Sequence, residues 1–385
     1  MTFNEGDKMS KPILNQLADF GQSIWLDYIS RPLIETGKLK GLIDQGLRGM
    51  TSNPSIFNQA IGSSQDYDDK ITQLKRQGKS TFEIYDELTI KDIQDATDIF
   101  KQVYDKTKGL DGYVSLEINP LLANKIEEQM LEGIRLYKKV SRPNVMIKVP
   151  STDQGFPVIE ELIAQGINVN VTLIFSLRQY EKTAEAYLKG LKRLSAKTAD
   201  LSKVRSVASV FVSRIDTTID KMLDDKIAAE KDSVKKNKLA ALKGKAAIAN
   251  SRLIFERSKE LFAGEEFTKL HGANVQRVLW GSTGTKNPAY SDIKYVTELI
   301  ASPTVNTIPE PTLNAFLDHG KVSDAFQYFS ATDAQNIISA LKANGINVDD
   351  VCATLLKDGC VAFDKAFEAL LTSIEKKAEQ LAVKS

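Results

Sequence analysis

The chain is predicted to fold as an α/β protein, a (β/α)8 barrel of the TIM type with extra helices at its C-terminus. Three observations carry that prediction. Eight short β-branched, apolar runs recur before residue 310, separated by segments with apolar residues at helical spacing. Strand–helix alternation of this kind builds a parallel sheet, and eight units in roughly 300 residues suit a closed barrel, which needs about 250. Beyond about residue 320 the strand signal stops and only helical pattern remains. An open doubly wound sheet is the alternative, but no G-x-G-x-x-G follows the first run.

The runs are 23–28 (SIWLDY), 46–52 (GLRGMTS), 113–118 (YVSLEI) and 145–150 (VMIKVP), then 167–174 (INVNVTLI), 204–212 (VRSVASVFV), 277–282 (RVLWGS) and 304–309 (TVNTIP). Segment 81–107 (TFEIYDELTIKDIQDATDIFKQVYDKT) typifies the helices between them. The stretch 217–262, rich in Lys, Asp and Ala, reads as a solvated pair of barrel helices with mixed-sign charge. Segments 331–343 and 348–382 read as helices. In the second, Phe363, Phe367, Leu370 and Ile374 fall at i, i+4, i+7 and i+11, one buried stripe. The expected organisation is a single domain over 1–385, with the barrel at 15–325 and a helical extension at 326–385 packed on it.

Composition narrows the function. With 51 Lys+Arg against 50 Asp+Glu there is no basic field to attract phosphate backbones, so no nucleic-acid partner is expected. No stretch approaches the roughly 18 apolar residues of a membrane helix. The segment MTFNEGDKMSKPILNQL has no apolar core of leader type, so a cytoplasmic location is expected and no membrane partner. Two cysteines, Cys352 and Cys360, are not a disulfide scaffold, and with only His271 and His319 a metal centre or a Ser-His-Asp site has little material. The chemistry must run on Lys, Asp, Glu, Asn, Thr and Ser. Nothing in the pattern decides whether the chain forms a homo-oligomer.

Several strands carry a polar residue where an apolar core wants none. Asp27 ends the first, Asn53 follows the second and Glu117 sits in the third. Lys148 interrupts the fourth, Asn170 and Thr172 share a face of the fifth, and Ser209 lies in the sixth. Buried unpaired charge is costly, and the C-terminal ends of barrel strands converge on one mouth. These groups therefore read as a site. Lys148 is the sharpest of them. An ordinary lysine amine is neutral about 0.04% of the time at pH 7, and desolvation raises that fraction about tenfold for each pKa unit it removes. A neutral amine facing a carbonyl forms a Schiff base. A structural Lys148 paired with Glu117 or Asp27 is the competing reading. Asn53 before a proline also reads as a turn residue, and Arg214 at a helix start as a surface ion pair.

The runs SIWLDYISRPLI, GMTSNPSIF, VSLEINPLLA, MIKVPST, INVNVTLIFS and SVFVSRID resemble those of transaldolases, in the right order, and WGSTGTKNPAYSD and TVNTIPEPTL are similar to the longer bacterial-type subfamily. The resemblance spans about residues 15–382. It implies that Lys148 forms a Schiff base with a ketose and that Asp27 is the acid and base of carbon–carbon cleavage. It implies that Glu117 and Thr172 move protons through a water, and that Asn53 and Asn170 hold the dihydroxyacetone hydroxyls. Ser209 and Arg214 would hold the phosphate, Arg through its forked donors. The second phosphate-binding arginine of shorter transaldolases has no counterpart after the seventh strand, where Lys286 is the nearest cation.

The implied reaction transfers a dihydroxyacetone unit from a ketose phosphate to an aldose phosphate, with sugar phosphates as partners and neither metal nor organic cofactor. A lyase resembling the fructose 6-phosphate aldolases is the nearest alternative. Those carry tyrosine where this chain has Phe211, and glutamine where it has Glu117. A catalytically silent sugar-phosphate-binding barrel is the other.

Overall fold

The computed structural model describes residues 11–384, so most of the segment read as lacking a leader lies outside the described residues. Eight parallel strands close into one barrel in sequence order: β1 (Gln22–Asp27), β2 (Gly49–Thr51), β3 (Tyr113–Glu117), β4 (Val145–Pro150), β5 (Val169–Ile174), β6 (Ser206–Phe211), β7 (Arg277–Gly281) and β8 (Thr304–Ile308). Each strand coincides with its sequence run to within a residue at either end, or lies inside it. The largest trimming is at β2, because Gly46 sits at φ 112 in a left-handed turn that extended backbone cannot include.

Side chains alternate along each strand, and one set fills the barrel interior. Trp25, Tyr113, Met146, Val207, Leu279 and Val305 form a buried plug of their own, apart from the core beneath the outer helices. Gly49 is required there, since a Cβ would lie 2.6 Å from the Trp25 ring. Below the plug, Arg277 Nη2 pairs with Asp111 Oδ1 at 2.8 Å and Arg277 Nη1 donates to Ser23 Oγ at 2.9 Å, closing the N-terminal end. Two residues above the plug the interior turns polar, with Asp27, Ser115, Lys148, Ser209 and Thr307 on the same faces.

The stretch 217–262 departs from the expected helix pair. Three helices occupy it, Ser213–Ala229, Ser233–Ala240 and Ala246–Ala263. Asp232 caps the second and Gly244, at φ 68, turns the chain into the third. Helices Ala331–Ala343 and Val348–Lys384 follow the barrel, and the expected stripe is buried. The last helix crosses helices Pro54–Ser63 and Ser213–Ala229, which start at the barrel mouth. Among the described residues no helix is long and apolar enough to cross a membrane.

Candidate active site

The register of the parallel sheet assembles the site. Glu117 lies beside Lys148, Lys148 beside Asn170, and Asp27 beside Thr51. Registered neighbours face the same way, here into the barrel mouth. Lys148 is 5% exposed. Its Nζ donates to Ser52 O at 3.0 Å and stands 3.5 Å from Glu117 Oε2. Asp27 Oδ1 accepts from Thr51 Oγ1 at 2.7 Å, and that hydroxyl lies 2.7 Å from Thr307 Oγ1.

Burial raises the Asp27 carboxyl above its ordinary 3.8, with the nearby Lys148 charge and the Thr51 hydroxyl pulling the other way. Burial likewise raises Glu117 above 4.5, opposed by Lys148 and reinforced by Asp27. Two carboxyls held more basic than usual therefore flank one buried amine. Such a set is better suited to passing protons than carboxyls in water, whose pKa values lie further from neutrality.

The fifth and sixth strands add neutral polar groups. Asn170 Nδ2 donates to Ser115 Oγ at 3.0 Å, and Ser209 Oγ donates to Asn170 Oδ1 at 2.6 Å. A bulge in β5 places Leu173 at φ 60 between its register points. Gln179, three residues into the capping box of helix Leu177–Ser195, donates to Leu173 O at 3.2 Å and holds that backbone. Thr172 sits just before the kink. Its Oγ1 is buried with no hydrogen-bond partner among the described residues, and the residue faces the cavity.

That cavity measures about 200 Å³. Asp27, Lys148 and Thr172 line one part of it; Arg214, Ser282 and Phe211 line another. Arg214 sits in the first turn of helix Ser213–Ala229, with its guanidinium 5.7 Å from the Phe211 ring centre. Among the described residues its Nε is buried without a partner, and burial lowers its pKa. A half-buried guanidinium with no carboxylate partner among the described residues suits an anion. Asn53 does two things at once: its Oδ1 accepts from Ile56 N at 3.0 Å, capping helix Pro54–Ser63, while the residue lines the cavity.

The structure thus brings Lys148, Asp27, Thr172, Asn53, Ser209, Phe211 and Arg214 to one cavity. Glu117 and Asn170 touch it through Lys148 and Ser209. Lys286 is not among the lining residues. It is exposed and faces an adjoining pocket with Asp216, Asp220 and Tyr290. Although the residue is exposed overall, partial desolvation of its amine, then repulsion from Arg214, lowers its pKa, which puts the two cations within electrostatic reach.

A sequence profile described as Transaldolase/Fructose-6-phosphate aldolase matches residues 24–374. The chain belongs to this family. Among curated relatives, a transaldolase of Trichodesmium erythraeum is 45% identical over 373 residues, covering 96% of this chain and 98% of the relative. A transaldolase of Saccharopolyspora erythraea is 44% identical over 370 residues, 95% and 98% of the two chains. Transaldolase 2 of a Nostoc species is 42% identical over 374 residues, 96% and 98% of the two chains. The profile spans both transferases and lyases, but these relatives are named as transaldolases, which favours transfer over release. The chain is accordingly a transferase, an enzyme that moves a dihydroxyacetone unit.

Sequence reasoning missed part of the lining of this cavity. Thr51, Ser55, Ser282, Thr307 and Phe363 also line the cavity. Thr51 and Thr307 read as ordinary strand formers. Only their i+2 relation to Gly49 and Val305 on the inward face would have singled them out.

Proposed function

We propose that this chain carries out a Schiff-base aldol transfer of the pentose phosphate pathway. It interconverts sedoheptulose 7-phosphate and glyceraldehyde 3-phosphate with erythrose 4-phosphate and fructose 6-phosphate. The single observation that carries the assignment of roles is the buried Lys148 amine, 3.5 Å from Glu117 and on the inward face with Asp27. In this reading Lys148 Nζ adds to the ketose carbonyl. Glu117 gives and takes the protons by which the carbinolamine loses water, with the unpaired Thr172 hydroxyl orienting that water.

The iminium then draws in electrons as Asp27 takes the proton from the substrate hydroxyl and the carbon–carbon bond breaks. The aldose phosphate leaves and a dihydroxyacetone enamine stays on Lys148. The acceptor aldehyde is attacked by the enamine carbon, Asp27 returns the proton, and hydrolysis frees the new ketose. Asn170 and the amide of Asn53 are suited to the dihydroxyacetone hydroxyls. Arg214 with Ser209 is suited to the phosphate, with Lys286 contributing from outside the cavity through its field. A cytoplasmic setting agrees with two free thiols, Cys352 and Cys360.

The test is product analysis. Fructose 6-phosphate with erythrose 4-phosphate should yield sedoheptulose 7-phosphate and glyceraldehyde 3-phosphate, and fructose 6-phosphate alone little free dihydroxyacetone. Rapid dihydroxyacetone release without acceptor would replace transfer by lyase chemistry.

A further inference from the structure

All but one of the described residues that line the Lys148 cavity come from barrel strands or the segments just after them. The exception is Phe363, near the middle of helix Val348–Lys384. Its ring centre lies 5.9 Å from Lys148 Nζ. Phe363 also lines a second, much smaller cavity of about 20 Å³, bordered by Glu117, Cys360 and Asp364. The ring therefore borders two spaces, one holding the reacting amine and the other its carboxylate partner.

The helix that carries this ring is fastened on both sides of it. Before it, Cys352 Sγ donates to Phe175 O at 3.3 Å. Gly359 lies over the β5 bulge so closely that a Cβ would come 3.0 Å from Leu173 Cδ2. After it, Phe367, Leu370 and Ile374 are fully buried, and Lys377 Nζ donates to Ile61 O at 2.9 Å. A helix fastened on both sides in this way presents Phe363 as part of a fixed wall rather than a mobile flap.

We infer that Phe363 is the wall that keeps bulk water from the Lys148-bound enamine, and so sets the partition between transfer and release. The inference rests on Lys148 being the Schiff-base lysine. Release from the enamine takes two steps. A proton adds to the nucleophilic carbon, giving an iminium. Water then adds to the iminium carbon and the C–N bond breaks, so that one water is consumed, dihydroxyacetone leaves and the lysine amine is restored. Transfer instead spends the same carbon on the acceptor carbonyl, which also leaves an iminium on the lysine. Both routes pass through an iminium, so the ring acts at the enamine: by excluding solvent from beside the nitrogen it withholds the proton that release needs at the nucleophilic carbon.

The test uses the full-length enzyme with Phe363→Ala and the milder Phe363→Leu, each checked for folding by thermal unfolding. Dihydroxyacetone released per transfer event should rise about tenfold in the first and about threefold in the second. Borohydride with fructose 6-phosphate should still mark Lys148 in both. An unchanged release-to-transfer ratio in either folded variant that forms the adduct overturns the role of Phe363 and leaves Lys148 standing. Failure of the unsubstituted enzyme to form the adduct overturns the Lys148 assignment instead.

Discussion

Lys148→Met separates a reactive lysine from a structural one. The substitution keeps an unbranched apolar side chain beside Phe363 and deletes the charge. Lys148 is the cation that counters the burial of both Asp27 and Glu117, whose carboxyls already sit above their ordinary 3.8 and 4.5. Without it both should rise further, and every tenfold gain in proton affinity corresponds to about 1.4 kcal/mol. Removing one partner of a buried ion pair costs about 3–5 kcal/mol where the remaining charge cannot neutralise. Here the carboxyls can take up protons, so the expected loss is about 2–3 kcal/mol at pH 8.

The sign of the pH effect follows. Between the ordinary and the raised pKa values the folded variant binds more protons than the unfolded chain, so its stability increases as pH falls through that window. The deficit against the unsubstituted enzyme should therefore shrink towards about pH 5. Urea unfolding of both proteins from pH 5 to pH 8 measures it, alongside turnover, which should be absent throughout. A deficit independent of pH, or a variant that folds at no pH, would refute the electrostatic coupling and make Lys148 a structural prop.

Arg214→Ala should raise the Michaelis constant for phosphorylated substrates about 10- to 100-fold with kcat changed little, as loss of a charge-assisted contact implies. An equal effect on an unphosphorylated acceptor would remove Arg214 from the phosphate. Lys286→Ala should act in the same direction but by less than about tenfold, since Lys286 is exposed and off the cavity wall. Asp27→Asn should lower kcat about 10²- to 10⁴-fold while the borohydride adduct still forms, because proton transfer and not imine formation is lost. In the unsubstituted enzyme kcat/KM should fall on the acid side as Asp27 protonates, with a midpoint above 3.8 because burial raises that carboxyl. A midpoint at or below the ordinary value would contradict it.

The strand pattern was legible because barrel strands buried on both faces are short, apolar and β-branched, and eight of them punctuate the chain. The site was legible for a related reason: a lysine inside VMIKVP or an aspartate ending SIWLD breaks that pattern conspicuously. Residues that break no pattern stayed hidden. Thr51 and Thr307 are what a strand prefers, and Phe363 was legible only as one member of a buried stripe. Its second role depends on where the last helix crosses the barrel, which no local spacing encodes. Lys286 shows the converse. Its place after β7 drew attention, but the loop carries it out of the main cavity while leaving it close enough to feel Arg214.

The most direct measurement is borohydride reduction of the enzyme in the presence of fructose 6-phosphate, followed by peptide mass mapping. One reduced three-carbon adduct on the peptide containing Lys148, and none in Lys148→Met, is the expected result. A stable adduct on another lysine, or none under turnover conditions, would contradict the claim that this sheltered amine holds the sugar fragment.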